Sequence, residues 1–180
     1  MEPRTAGREV RREVRFAVVM YGGVSLAIYI NGVVRELFRM VRATATVSPN
    51  CAKPLVPYKE LSGSERVYRR LGQTLGREGE ERDKPYSTDD PIFTKFVIDI
   101  LSGTSAGGIN AVYLAKALAN GQEIKQLSEL WVEEGDIGKL INDKASVNGL
   151  DGLGVHRPPG SLLNGQRMYL RLLDAFYCME

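Results

Sequence analysis

Cysteine and histidine are scarce in this 180-residue sequence. The two cysteines, Cys51 and Cys178, lie far apart and outside metal-ligand spacing, which excludes a disulfide scaffold and indicates a reducing compartment or simple packing. The single histidine, His156, excludes a histidine-rich metal site. We therefore expect neither a metal ion nor a cofactor.

Neither sign of charge is in excess. Lysine plus arginine number 24 and aspartate plus glutamate number 22, for a formal net charge of +2. That balance gives no reason to expect a polyanionic partner, so we expect no binding of nucleic acid. The sequence also lacks a Gly-x-Gly-x-x-Gly motif and a Gly-Lys-Ser/Thr motif, which argues against nucleotide binding.

One apolar run is long enough to raise the question of a membrane span. Phe16–Val34 contains 19 residues without a charge, close to the length that crosses a bilayer. Gly22 and Gly23 interrupt the run, Ser25 and Asn31 are polar, and glutamates are mixed with the arginines that precede it. These features favour a soluble domain over a signal or membrane-spanning segment. We expect no transmembrane segment and a cytoplasmic location, with peripheral association with membranes.

The apolar pattern predicts two strand–loop–helix units. The first has a strand at Val14–Met20 and an amphipathic helix ending near Arg42. The second has a strand at Phe96–Leu101 and a helix ending at Asn120-Gly121. Further helices are predicted over residues 123–134 and from Arg167 to the C-terminus. The pattern predicts an α/β fold of three layers, α/β/α, with a mainly parallel sheet.

The domain organisation follows from composition. Residues 1–13 are predicted to be a charged N-terminal tail, and residues 14–180 are predicted to form the domain. Within it, residues 43–92 are predicted to be an exposed polar insertion, because prolines break its first part and 15 charges lie between Lys59 and Asp90. A short helix is expected inside it, near residues 65–75.

The chemistry is concentrated in a Gly-x-Ser-x-Gly motif between the second strand and its helix. In such a sharp turn the hydroxyl of Ser105 is exposed, while Gly103 and Gly107 allow the strand and helix backbones to pass closely. The N–H of Ala106 is the natural donor to an oxyanion at the helix N-terminus. The motif predicts a nucleophilic serine. The alternative is a tight turn in which the serine only caps the helix.

Gly22 and Gly23 form a second glycine loop between a strand and a helix. If the two strands are neighbours, this loop lies beside Ser105 at the carboxyl ends of the strands. Its N–H groups would then complete the oxyanion hole.

These motifs together resemble the patatin-like phospholipase family. The likeness rests on Phe16–Gly23 followed by a helix, and on Gly103–Gly108 about eighty residues later, where Thr104 and Gly108 extend the motif. The resemblance implies a serine hydrolase of lipid acyl esters, of the phospholipase A or esterase type, that works at a membrane surface with a Ser-Asp dyad. It implies Ser105 as the nucleophile and Gly22 and Gly23 as the oxyanion loop.

The sequence departs from that family in two places. The loop lacks the third glycine and the arginine that the family usually carries. The family's aspartate, in Asp-Gly-Gly or Asp-Gly-Ala, has no match, because Asp151-Gly152-Leu153 comes too early and lacks the third small residue. We expect the aspartate beyond residue 180, an incomplete domain, and an inactive 180-residue chain.

Two other functions remain open at this point. A Ser-His-Asp hydrolase would use Ser105 and His156 with Asp136 or Asp143. A non-catalytic module that binds lipid or a partner would keep the turn around Ser105 without a working base.

Overall fold

The computed structural model of the protein describes residues 10–49, 51–150 and 160–179. These residues form two compact units. The first comprises the described residues up to Val18 together with Arg35–Leu101, and the second comprises Val19–Val34 and the described residues from Ser102 onward. Strands and helices both contribute, which confirms the mixed α/β class.

Four strands and six α-helices make up the described chain. The strands are β1 (Arg12–Met20), β2 (Thr46–Ser48), β3 (Cys51–Pro54) and β4 (Thr94–Gly103). The helices are α1 (Ala27–Thr44), α2 (Ser64–Thr74), α3 (Ala106–Asn120), α4 (Lys125–Glu134), α5 (Ile137–Leu140) and α6 (Gly165–Tyr177). The predicted strands and helices are thus all present, with ends that differ from the predictions by a few residues.

Strands β1 and β4 pair in parallel. The N–H of Arg12 donates to the carbonyl of Phe93 at 3.0 Å, and the N–H of Thr104 donates to the carbonyl of Met20 at 3.1 Å. The N-terminal ends of the two strands are therefore neighbours, and so are their C-terminal ends. The pairing confirms that the two predicted strand–loop–helix units share a parallel sheet, which in the described residues has two strands.

The predicted insertion is partly buried. Its strands β2 and β3 form an antiparallel hairpin in which Thr46 lies opposite Pro54, and its helix α2 covers the predicted range. Glu65, Arg69 and Gln73 are all buried on α2. The prediction that these charged and polar residues are solvent-exposed was wrong. A count of charges cannot distinguish an exposed side chain from a buried one that has hydrogen-bond partners.

Arg69 shows how the first unit accommodates a buried charge. Its side chain is 1% exposed and donates at 2.6 Å to the carbonyls of Ala43 and Val56. Burial lowers the pKa of the guanidinium from its ordinary value. The arginine thereby holds the end of α1 and the chain after β3 against α2, at backbone groups that would otherwise lack partners.

Replacing Arg69 should destabilise the first unit. We expect Arg69→Met to lower the free energy of unfolding by about 2–4 kcal/mol, because buried carbonyls lose charged donors. Arg70→Met, on the exposed neighbour, should cost less than about 1 kcal/mol. Urea unfolding of both variants measures the difference. Equal losses would contradict a special role for Arg69.

The second unit places α3 and α6 around the end of β4. Helix α3 ends where Asn120-Gly121 predicted, since Gly121 adopts the left-handed conformation with φ 67°. Helix α6 begins two residues before the predicted Arg167, because the Asn164 side chain accepts a hydrogen bond from the Arg167 N–H. The buried core includes Leu114, Leu127 and, as predicted, Trp131.

A buried ion pair fixes α6 to α4. The guanidinium of Arg167, 4% exposed, lies 2.7 Å from the Glu134 carboxylate. It also donates to the carbonyls of Ser146 and Asn148, at 3.1 and 3.0 Å. Every strong polar group of this contact has a partner, as a buried charge requires. Helix α6 is therefore anchored at its N-terminal end.

Candidate active site

Ser105 occupies a tight turn between β4 and α3. Its φ of 51° and ψ of −127° are close to those of the second residue in a type II′ turn. The N–H of Gly107 closes this turn by donating to the Thr104 carbonyl at 2.9 Å. The serine side chain is exposed at the end of the strand. This is the geometry that a Gly-x-Ser-x-Gly motif needs if its hydroxyl is to meet a substrate.

The backbone of Ser105 is strained. It is the one non-glycine residue in the described ranges with φ in the left-handed region. Gly63, before α2, has nearly the same conformation, with φ 50° and ψ −126°. The chain thus uses glycine for this conformation at one helix start and serine at another. Such a conformation costs on the order of 1–3 kcal/mol for a residue with a side chain.

Helix capping by the Ser105 side chain does not offset this strain. Ser105 stands at the N-cap position of α3, but its side chain makes no capping hydrogen bond. The alternative of a serine that only caps the helix therefore lacks its defining contact.

The two flanking glycines allow close approach of backbones. A Cβ on Gly103 would lie 2.5 Å from the carbonyl of Gly107, and a Cβ on Gly107 would overlap the carbonyl of Met20. Neither contact can be relieved by moving a flexible side chain. The predicted reason for these glycines, that strand and helix pass too closely for side chains, agrees with the structure.

The first glycine loop lies directly beside Ser105. A Cβ on Gly22 would lie 2.5 Å from the Cβ of Ser105. The N–H of Gly22 donates to the Thr104 hydroxyl at 3.1 Å, so this donor is already engaged. No hydrogen bond among the described residues uses the N–H of Gly23 or of Ala106. Of the three expected oxyanion donors, Gly23 and Ala106 are therefore the ones left for a ligand.

No carboxylate or imidazole among the described residues is hydrogen-bonded to the Ser105 side chain. Asp136 caps α5 by accepting from the Gly138 N–H at 2.8 Å. Asp143 accepts from the N–H groups of Ala145 and Ser146. In these described loops, neither candidate for a Ser-His-Asp triad is bonded to the serine. Asp151 and His156 lie outside the described residues.

An apolar groove of about 390 Å³ lies between α3 and α6, with Ser105 in its lining. Its lining comes from one face of each helix: Ser105, Gly108, Ile109, Val112 and Tyr113 on one side, and Tyr169, Leu172, Leu173 and Phe176 on the other. Apart from the serine, almost all of this lining is aliphatic or aromatic. The groove suits a hydrocarbon chain better than a polar ligand.

Two polar side chains of α3 hold α6 in place along the groove. The Tyr113 hydroxyl donates to the carbonyl of Leu172, and the Lys116 ammonium donates to the carbonyl of Phe176. Burial raises the pKa of Tyr113 to about 12, so its hydroxyl remains a donor at alkaline pH values where an exposed tyrosine would lose its proton. The ammonium of Lys116 also lies 4.1 Å from the centre of the Phe176 ring, a cation–π contact near a helix C-terminus.

Sequence reasoning missed this second wall. The spacing of Tyr169, Leu172, Leu173 and Phe176 shows an apolar face on α6. That face could have indicated burial against any neighbour, and no local signal identifies α3 as the partner. Sequence reasoning also missed Thr104 as the acceptor for the Gly22 N–H, since a threonine in this motif has no distinctive pattern.

Comparison with known proteins finds one informative similarity. No family model matches the chain, and no solved structure matches it. The chain is 34% identical over 139 residues to the "Uncharacterized membrane protein Rv3479" of Mycobacterium tuberculosis. The match covers 73% of this chain and 11% of that relative, so the chain spans a small part of the relative's length.

The predicted cytoplasmic location was wrong by this comparison, since the relative is named as a membrane protein. The error came from treating the interrupted Phe16–Val34 run as evidence about the location of the protein. As for the run itself, β1 ends at Met20 and α1 begins at Ala27. Within residues 10–49, 51–150 and 160–179, no helix combines the length and the apolar character needed to cross a bilayer.

The backbone strain at Ser105 can be measured through its effect on the free energy of unfolding. We expect Ser105→Gly to raise the free energy of unfolding by about 0.5–2 kcal/mol, because relief of strain exceeds the extra entropy of the unfolded glycine chain. Ser105→Ala keeps a side chain in the same conformation and should give no gain. Thermal unfolding compares the two variants.

Gly63→Ala is the matched control for this measurement. A Cβ there meets nothing within 4 Å, so the substitution adds strain without a clash and should destabilise by about 1–3 kcal/mol. If Ser105→Gly were no more stable than Ser105→Ala, the serine backbone would not be strained.

Proposed function

We propose that this protein is a serine acyl hydrolase of the patatin-like type that acts on lipid esters. The observation that carries the proposal is the strained, exposed and non-capping Ser105 in the lining of an apolar groove. Strain of this kind clusters at functional sites, where the position of one atom outweighs stability. The proposed fold is accordingly the three-layer α/β/α arrangement of that family, of which the β1–β4 pair would be part.

The proposed reaction is acyl transfer in two steps. The Ser105 hydroxyl attacks the ester carbonyl, loses its proton to a base, and forms an acyl-enzyme as the alcohol leaves. Water then attacks the acyl-enzyme and releases the fatty acid. In both steps the N–H groups of Ala106 and Gly23, which no other group uses among the described residues, would donate to the negatively charged carbonyl oxygen. The family resemblance implies an aspartate as the base, which is to be sought outside the described residues.

The groove supports a lipid as the substrate. Each methylene removed from water contributes about 0.8 kcal/mol, so a groove of this volume gives substantial affinity to an acyl chain. Ser105 is part of the groove lining, so a chain bound there would lie next to its hydroxyl. The relative's name as a membrane protein agrees with a substrate drawn from a membrane surface.

The second candidate is a lipid-binding module without catalysis. It is favoured by one observation, that no carboxylate or imidazole in the described ranges is hydrogen-bonded to Ser105. The two candidates share the groove and differ in whether an acyl-enzyme forms.

Hydrolysis should depend on Ser105. In the full-length gene product, Ser105→Ala should reduce hydrolysis of a p-nitrophenyl fatty-acyl ester by several orders of magnitude, because the nucleophile is lost. Ser102→Ala, on the exposed serine three residues earlier, should leave the rate unchanged. Binding of a fatty-acyl ligand without any hydrolysis in the unmodified protein would favour the non-catalytic module.

Filling the groove should change chain-length preference. We expect Val112→Trp to lower kcat/KM for a long-chain ester by at least about tenfold relative to a short-chain ester, since displacing two methylenes costs about 1.6 kcal/mol. Val112 is 56% exposed, so the larger side chain need not disturb the core. Val132→Trp on α4, outside the groove lining and 72% exposed, is the control. An equal loss for both ester lengths would contradict an acyl site between α3 and α6.

A further inference from the structure

A chain of three side-chain hydrogen bonds runs behind the candidate active site. The Ser128 hydroxyl donates to the Asn31 amide oxygen at 2.7 Å, and the Asn31 amide nitrogen donates to the Asn110 amide oxygen at 3.2 Å. The Asn110 amide nitrogen then donates to the carbonyl of Ala106 at 2.9 Å. The chain joins α4, α1 and α3, and it ends on the residue that follows the serine.

Both asparagines are inside the second unit. Asn31 is 4% exposed and Asn110 is fully buried. Amides in such surroundings cost free energy unless their hydrogen bonds are made, and leucines of similar size would fill the same space without that requirement. All four amide atoms of the pair have partners. The fully bonded pair fixes one relative position of α1 and α3, which an apolar contact does not do.

The chain acts on the strained turn through one peptide group. The Ala106 carbonyl that accepts from Asn110 belongs to the same peptide as the Gly107 N–H, which closes the turn on Thr104. Hydrogen bonds in series strengthen one another, so donation to the carbonyl makes that N–H a better donor. A strained conformation persists only where its surroundings determine it fully. The asparagines supply such a constraint immediately after Ser105.

The same pair of asparagines links the two segments that carry the expected oxyanion donors, Gly23 and Ala106. Gly23 precedes α1, which carries Asn31, and Ala106 begins α3, which carries Asn110. The Asn31–Asn110 bond therefore ties α1, which follows the Gly23 loop, to α3, which begins at Ala106. A shift of either helix would move one donor away from the developing charge.

We propose that Asn31 and Asn110 are positioning residues that hold Ser105 in its strained turn and keep the N–H groups of Gly23 and Ala106 in register. The catalytic part of this inference rests on the proposed function. The structural part, that the asparagines enforce the strain, does not.

The test is a cycle of thermal unfolding measurements. In the unmodified protein, Ser105→Gly should raise the Tm by roughly 2–6 °C through relief of strain. The double variant Asn31→Leu with Asn110→Leu replaces both partners by side chains of similar size, so that no amide is left unpaired. In that background the turn is free to relax, and Ser105→Gly should raise the Tm by less than half as much. An undiminished gain would overturn the proposal.

Two controls make the cycle decisive. Leu130→Ala weakens the same unit without touching the chain of hydrogen bonds, and the full gain from Ser105→Gly should remain in it. If the double leucine variant does not unfold cooperatively, Ser128→Ala takes its place, since it removes only the outer donor. The gain should then shrink in Ser128→Ala, and a full gain there would overturn the proposal.

Kinetics separate positioning from a purely structural role. In the full-length gene product, the double leucine variant should lower kcat for an acyl ester by about 10²-fold with KM nearly unchanged, since misplaced oxyanion donors weaken the transition state alone. A raised KM with unchanged kcat would contradict positioning. If the unmodified protein hydrolyses no ester, the proposed function fails, and the thermal cycle still decides whether the asparagines enforce the strain.

Discussion

The close approach of three backbone segments around Ser105 is the constraint on which the second unit depends. Strand β4 must end, turn and start α3 within the space left by the end of β1. Glycine at positions 103 and 107 removes the side chains that would prevent this, and glycine at position 22 lets the other loop lie against the serine. One residue in this arrangement has a side chain and a left-handed backbone, and it is the serine. The second unit thus contains backbone strain at Ser105, a residue whose side chain is exposed.

The sequence predicted the strands, helices and glycine loops of the site, but not which of its hydrogen-bond donors are free. A β-branched run before each glycine loop and an apolar stripe after it were enough to predict β1, α1, β4 and α3, because local periodicity determines such elements. The neighbouring positions of Gly22 and Ser105 followed from the rule that parallel strands end at one edge. Neither result needed long-range information. The hydrogen bond from the Gly22 N–H to the Thr104 hydroxyl did need it, since only the three-dimensional structure shows which donors already have acceptors.

Long-range contacts account for the rest of what was missed. The groove needs α6 to pack on α3 across more than fifty residues of chain, through hydrogen bonds from Tyr113 and Lys116 to backbone carbonyls. Backbone acceptors have no sequence signature, so these contacts could not be read in advance. The burial of Arg69 was missed for the same reason, because its partners are also carbonyls. Side chains that bind backbone are the main source of disagreement between the sequence pattern and the fold.

The two sides of the groove differ in how far their residues can be substituted. On the side of Ser105, the permitted residues are narrowly limited by backbone contacts that admit no Cβ at positions 22, 103 and 107. On α6, the side chains of Tyr169, Leu172 and Phe176 face the groove, while the helix is held by its backbone carbonyls and by Arg167. Tyr169 and Leu172 can be exchanged without loss of these helix anchors, whereas the ring of Phe176 also contacts Lys116. The shape of the groove can therefore change through substitutions on α6 while the turn around Ser105 stays the same.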